Sequence, residues 1–193
     1  DLSWDLHGNV RLPIPEINLW AVAGISRGFR APNIDDFSAF QETGSSFDVP
    51  NPDLDPETMT QIEVGLKGGN KRWKGSLFGF KSHIEDQITR ENVMFGGSAT
   101  SPSGKPFKAR ANSDHSTAIY GVELDLEVEV YPHVRPFVVF TYIVGRDRGR
   151  EEVIRRMPPT MATYGVRYQE DKWFIEGYFE SARGQRRLSA DDK

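Results

Sequence analysis

AIYGVELDLEVEV, residues 118–130, alternates apolar and polar side chains without a break from Tyr120 onward. Tyr120, Val122, Leu124, Leu126, Val128 and Val130 share one parity; Gly121, Glu123, Asp125, Glu127 and Glu129 share the other. Period two is the pattern of a β-strand with one dry face and one wet face. Each carboxylate set against lipid or in a dry core would cost on the order of several kcal/mol. The acidic face therefore meets water or cations, in a barrel lumen or at a protein surface. The opposite face meets lipid or a packed core.

The sequence on either side divides in the same way. Residues 1–12 give a weak first strand, broken by Pro13 and Pro15, and residues 18–29 a second. Residues 60–69 alternate Ile62, Val64 and Leu66 with Glu63, Gly65 and Lys67, and Gly68-Gly69-Asn70 signals a tight hairpin turn. Residues 73–91 read as the return strand, with Ser76, Phe78, Phe80, Ser82, Ile84 and Ile88 on one parity. After the strand within residues 109–130 come strands at 135–145, 160–169 and 173–189. The expectation is about eight strands and no helix.

The connections alternate in length. Residues 13–17, 68–72, 131–134 and 170–172 are short; residues 30–60, 92–108 and 146–159 are long. Short turns at one end and long loops at the other mark an up-and-down membrane barrel. The strands also exceed the five or six residues usual in soluble sheets, and approach the roughly nine to eleven of a tilted membrane strand. Tyr131, Phe137, Tyr168 and Trp173 flank the short turns, where an interfacial aromatic girdle is expected. The pattern favours a transmembrane barrel over a soluble β-sandwich binding module, for carbohydrate for example, which stands as the alternative.

Composition agrees with this reading and removes other classes. The chain has 193 residues, a net charge of −4 and a pI near 5.6, so nothing suggests a nucleic-acid partner. It has no cysteine, which excludes disulfides, zinc–thiolate sites and a cysteine nucleophile. Mean hydropathy is −0.54. That low value suits a barrel, whose alternate residues face a polar lumen. No basic-then-apolar leader is visible, and no run approaches the roughly 18 apolar residues of a membrane helix.

The long stretch SRGFRAPNIDDFSAFQETGSSFDVPNPDLDPETMT, residues 26–60, has prolines at 32, 50, 52 and 56 and reads as a shaped loop. SRGFRAPNIDDF (26–37), NPDLDPET (51–58), QIEVGLKG (61–68) and AIYGVELDLEVEV (118–130), in this order and spacing, closely resemble the barrel domain of TonB-dependent outer-membrane receptors. The resemblance covers residues 19–145 well and the remainder loosely. It implies an all-β, antiparallel, up-and-down transmembrane barrel of about 22 strands, plugged by an N-terminal domain. It further implies a bacterial outer-membrane transporter that imports a scarce ligand such as a siderophore or cobalamin with energy from TonB. No plug, TonB box or terminal aromatic strand is seen in the sequence, whose end reads RLSADDK. Residues 1–193 are therefore expected to form about eight strands from the C-terminal part of such a barrel, in contact with outer-membrane lipid and with TonB engaged through an N-terminal region. A complete eight-stranded outer-membrane barrel is the nearest rival.

Candidate residues fall in the loops. Phe37, Phe40 and Phe47 are the expected contacts for a small-molecule ligand such as a metal chelate, with Met94 and Phe95 beside them, since apolar groups on polar loops often line a binding mouth. Arg27, Arg30, Pro32, Asn51, Pro52, Pro56 and Glu57 are expected to hold the motif, the arginines pairing with Asp35, Asp36 or Glu57. Asp53, Asp55 and Glu57 carry oxygens suited to Ca²⁺, but acids beside prolines are more often turn and capping groups. His7, His83, His115 and His133 lack metal-ligand spacing, so neither a metal nor a cofactor is expected. No nucleophile motif occurs, and no catalytic residue is assigned. Arg146, Arg148, Arg150, Arg155 and Arg156 would suit an anionic partner, but Glu151 and Glu152 balance them and favour a solvated loop.

Overall fold

The computed structural model describes residues 2–150, 152–154 and 157–184. Eight long strands run in chain order: β1 (Trp4–Leu12), β2 (Asn18–Arg30), β5 (Glu57–Gly69), β6 (Trp73–Glu85), β9 (Thr117–Val128), β10 (Val134–Asp147), β11 (Met161–Gln169) and β12 (Phe174–Ala182). Between them lie a short helix α1 (Ile34–Ser38) and four short strands, β3 (Gln41–Glu42), β4 (Phe47–Asp48), β7 (Ile88–Asn92) and β8 (Phe107–Asn112). The eight long strands form one antiparallel meander in the order β1-β2-β5-β6-β9-β10-β11-β12. This is the expected up-and-down sheet. It is one sheet and not two packed layers, so the sandwich alternative does not form. Among the described residues β1 and β12 each have one neighbour, so the sheet does not close into a small eight-stranded barrel.

Cross-strand register separates two faces. Val10, Ala21, Leu66, Leu77, Leu124, Phe140, Ala162 and Ser181 are successive register partners and share one face. The row beside it, Gly8, Ala23, Val64, Gly79, Val122 and Tyr142, is also apolar. Val10, Val64, Leu66, Leu77, Val122 and Phe179 are all exposed on this face. An apolar sheet face left uncovered over this many strands fits lipid as its solvent. The other face carries Glu63, Lys67, Glu123, Asp125, Glu127, Arg135, Arg167 and Glu176.

The wet face carries its charges in pairs. Glu127 is 5% exposed and sits among Lys74 at 3.3 Å, Arg135 at 3.1 Å and Arg167 at 3.2 Å. Arg135 also reaches Glu129 at 2.6 Å, and Arg167 reaches Glu176 at 2.6 Å. The network ties β6 to β12 near the short-turn end. Arg167 lies 5.8 Å from the Phe137 ring centroid. Phe137 therefore faces the charged side, opposite Glu127 in register, and is not part of the aromatic girdle expected from the sequence. Tyr131 and Trp173 remain exposed at that end, with Tyr168 5.6 Å from Trp173.

Phe78 and Phe80 also lie on the charged face, each opposite a glycine: Phe78 across from Gly65 and Phe80 across from Gly121. A methyl group at either glycine would overlap the facing ring. The glycines thus let two large rings lie flat along a crowded wall.

Four expectations about the elements need correction. Residues 73–91 are not one strand: Asp86 adopts φ 54°, which turns the chain, and β7 leaves for a second sheet. Residues 109–130 likewise divide into β8 and β9. The 30–60 loop contains a helix, α1, capped by Asn33: its side chain accepts from Asp36 N–H at 3.0 Å and its own N–H donates to the Asp36 carboxylate at 3.0 Å. This reciprocal cap satisfies two free helix-end donors. The expected last strand, 173–189, is strand through Ala182; residues 185–193 lie outside the described part, as do Glu151, Arg155 and Arg156.

Candidate functional site

Every long connection leaves the sheet at the same end, after β2, β6 and β10. The first two loops do not stand apart. They build a second sheet, β3-β4-β8-β7, in which β4 pairs parallel with β8 through Phe47–Phe107 and Asp48–Lys108. Its dry interior is Val49, Phe107 and Ala109, with Phe47 and Val93 packed against them. The segment 92–106, within the expected long connection 92–108, is folded into this unit. Thr100 bridges Pro106, the Ser101 N–H donates to Lys105 O at 2.8 Å, and Ser101 is buried.

Polar contacts fasten one loop to the other. Arg90 pairs with Asp48 and donates to the Ser46 hydroxyl at 2.9 Å. Lys105 pairs with Glu42 at 2.7 Å and donates to Thr43 O at 2.7 Å. The Lys105 ammonium holds the Glu42 carboxyl below the usual range. Asn51 donates its side-chain amide to Arg110 O at 2.9 Å. Asn112 donates to Asp55 O at 2.8 Å and to Asp86 O at 2.7 Å, and accepts from Asp55 N–H at 2.9 Å.

The base of the unit is a charge cluster where the loops meet the sheet. Arg30 forks onto Glu57, Nε to Oε2 at 2.7 Å and Nη2 to Oε1 at 3.0 Å, and donates from Nη1 to Asp36 at 3.0 Å. Such a fork fixes geometry as well as charge. Glu57 also accepts from Ile88 N–H at 2.7 Å, and Arg110 lies 3.5 Å from Asp36. Burial pushes the Asp36 carboxyl up. The Asn33 N–H and the Arg30 and Arg110 guanidiniums outweigh it and hold the group below the usual range.

The structure brings most of the motif residues to this cluster. Pro32 precedes the Asn33 cap, and Pro56 precedes β5 at Glu57, where no ladder N–H is needed. Asn51 accepts from Asp53 N–H at 3.1 Å, closing a turn around Pro52. Arg27 is elsewhere: its parity on β2 sets it on the apolar face, opposite Thr60. Asp53, Asp55 and Glu57 do not converge, and no group of three potential metal ligands occurs among the described residues.

The aromatic candidates converge more closely. Phe40 packs 5.1 Å from Phe47 and 5.9 Å from Phe95, and Phe107 completes the chain at 5.7 Å from Phe47 and 5.5 Å from Phe95. Phe47 is half-buried, whereas Phe40 is 61% exposed and Met94 72% exposed. Phe37, at the end of α1, is 36% exposed. The result is an aromatic ledge of Phe40, Phe47, Phe95 and Phe107, rooted in a small core and open to solvent at Phe40 and Phe95; among the described residues no ring contact ties Phe37 to it, and Met94 is exposed next to Phe95 in the chain. Phe107 escaped the sequence reading. Its only signal is the brief alternation Phe107, Ala109, Ala111 beside Lys108 and Arg110.

The chain matches the family described as TonB dependent receptor-like, beta-barrel, over residues 1–192. It is 25% identical over 161 residues to a vitamin B12 transporter, BtuB, of Photobacterium profundum, a match covering 83% of this chain and 24% of that protein. Among solved structures it superposes on the copper transporter OprC with a TM-score of 0.74 and 19% identity, over 96% of this chain and 26% of that one. The siderophore receptor PirA from Pseudomonas aeruginosa gives a TM-score of 0.67 and 19% identity, over 92% of this chain and 34% of that one. The chain thus spans about a quarter to a third of these proteins' lengths. With a match along nearly its whole length, the chain belongs to the TonB-dependent receptor family and is part of its outer-membrane β-barrel.

Proposed function

We propose that these eight strands form part of the wall and outer mouth of a receptor that imports a scarce small molecule, such as a siderophore, cobalamin or another metal chelate, and catalyses no reaction. TonB, engaged through an N-terminal region, supplies the energy. Phe37, Phe40 and Phe47, with Phe95 and Met94, give the ligand an apolar landing surface. Arg30, Glu57, Asn51 and the three prolines 32, 52 and 56 hold that surface in place.

The observation that carries this reading is the joint folding of two long loops into one unit whose aromatic ledge stays open to solvent. Loops without a task need not share a sheet and a core. Arg30, Arg90 and Lys105 are paired with loop carboxylates, and the rings add an apolar surface beside them.

The test is deletion of residues 37–47 in the full-length protein, with Phe40→Ala beside it. The deletion is expected to abolish uptake of the cognate chelate while the barrel still inserts. Phe40→Ala is expected to weaken binding by about tenfold, the scale of one lost aromatic contact. Unchanged uptake in the deletion would refute capture by this loop.

A further inference from the structure

One side chain bonds to both folded loops where they meet the sheet. The first long connection spans residues 31–56, between β2 and β5, and the second spans 86–116, between β6 and β9. Asn112 ends β8 in the second. Its Nδ2 donates to Asp55 O at 2.8 Å and to Asp86 O at 2.7 Å, and its Oδ1 accepts from Asp55 N–H at 2.9 Å. Asp55 lies two residues before β5, and Asp86 directly follows β6. One amide thus joins the end of the first loop, the start of the second and the end of β8.

The first loop reaches Asn112 along a ladder that passes from backbone to side chains. Phe47 N–H donates to Pro106 O at 3.0 Å, and Val49 N–H to Lys108 O at 2.9 Å. At the next step Asn51 N–H turns away to Phe37 O at 3.1 Å, and the Asn51 side-chain amide donates to Arg110 O at 2.9 Å instead. Pro50 and Pro52 fall on the alternate parity, where no N–H toward β8 is needed. At Asp55 the Asn112 side chain supplies both the acceptor and the donor that a neighbouring strand would give.

The residue type at 112 follows from these bonds. Asp86 adopts φ 54°, a left-handed conformation that strains a non-glycine residue, and there the chain turns from β6 to β7. Its carbonyl finds its donor in Asn112. A carboxamide carries two N–H donors and an acceptor on one carbon. Aspartate at 112 would set a carboxylate against the carbonyls of Asp55 and Asp86. Alanine would leave three backbone groups without their partner.

We infer that Asn112 is the positioning residue that couples the two loops, so that they open as one body and the aromatic ledge exists only while both are docked. Phe40 and Phe47 stand on the first loop, Phe95 and Phe107 on the second, and the Phe40–Phe95 and Phe47–Phe107 contacts cross between them. Phe107 begins β8 and Asn112 ends it, so Asn112 acts on the rings through that strand. The consequence for uptake rests on the ledge being the capture surface; the coupling rests on the bonds alone.

The test is hydrogen exchange on the full-length protein in detergent with no ligand added, so its outcome is separate from whether the ledge captures a chelate. Peptides covering residues 51–58 and 86–92 are compared in the wild type, N112A and N112D. Both substitutions are expected to speed exchange at least about tenfold in both segments. N70A removes a turn acceptor for Arg72 N–H and Trp73 N–H at the opposite rim, and is expected to leave both segments unchanged. Aspartate keeps the size of asparagine, so a role in packing alone would survive N112D. Wild-type exchange in N112D, faster exchange in one segment alone, or the same effect from N70A would overturn the coupling. If N112A and N112D lose the heat-modifiable gel shift of a folded barrel, the wild type decides. In urea too dilute to unfold the barrel, its two segments are expected to lose protection at one midpoint, and separate midpoints would overturn the coupling.

Discussion

Arg30 and Asp36 show how single residues shape the mouth. Arg30 extends β2 by one position beyond the expected strand end and turns its fork to Glu57 across the strand pair. Asp36 meets the same guanidinium and also closes the cap of α1. Because its folded pKa is lowered from 3.8, Asp36 contributes stability that is present above that value and lost as pH falls through the lower folded value. Amide exchange over α1, corrected for the intrinsic rate, is therefore expected to stay slow at neutral pH and to rise only below about pH 4. In Asp36→Asn the added acid sensitivity should vanish. An identical acid profile in that variant would show that another group governs the loop base.

The strands were legible in the sequence where one period ran unbroken. The alternation from Tyr120 to Val130 located β9, and Gly68-Gly69-Asn70 located the turn between β5 and β6. What escaped was whatever depends on contacts between loops. Two-residue strands such as β3 and β4 are too short to show a period, and the parallel pairing of β4 with β8 joins residues 60 positions apart, 107 − 47. The break at Asp86 lies inside a run whose β-pattern continues on both sides; only the backbone φ reveals it. Phe37, Phe40 and Phe95 were visible as apolar residues in polar loops, yet nothing in the sequence told that Phe40 and Phe95 share one cluster with Phe47.

At the same scale, the wet face makes a claim about energy. Glu127 binds three cations, from β6, β10 and β11. Its removal leaves Lys74, Arg135 and Arg167 facing one another at the short-turn end. Glu127→Ala is expected to lower the stability of the full-length protein by about 3 kcal/mol in reversible urea unfolding. Glu123→Ala, on the same face and outside that network, should stay within about 0.5 kcal/mol. Equal effects would mean that the lumen wall is indifferent to its ion pairs.

At the scale of the whole molecule, one asymmetry organises the rest. A single sheet has short turns at one end, a folded loop unit at the other, an apolar face and a charged face. A bilayer explains all of these together: lipid covers the apolar side, water and cations meet the other, and the loop unit stands outside the membrane. The family match gives the same placement independently. Among the described residues the sheet has two open edges, β1 and β12, which fit a barrel larger than these strands.

This chain has no cysteine, so a thiol introduced on β9 is the only one these strands carry; any cysteine elsewhere in the full-length protein is replaced first. Spin labels placed singly at residues 122 through 127 of β9, in the full-length protein reconstituted in bilayers, would report collision with oxygen from the lipid and with a water-soluble nickel chelate. Val122, Leu124 and Leu126 are expected to collide with oxygen, and Glu123, Asp125 and Glu127 to be shielded from it, in strict alternation. Equal exposure of both parities to the aqueous chelate, or shielding of both from oxygen, would contradict a membrane-spanning strand and the account built on it.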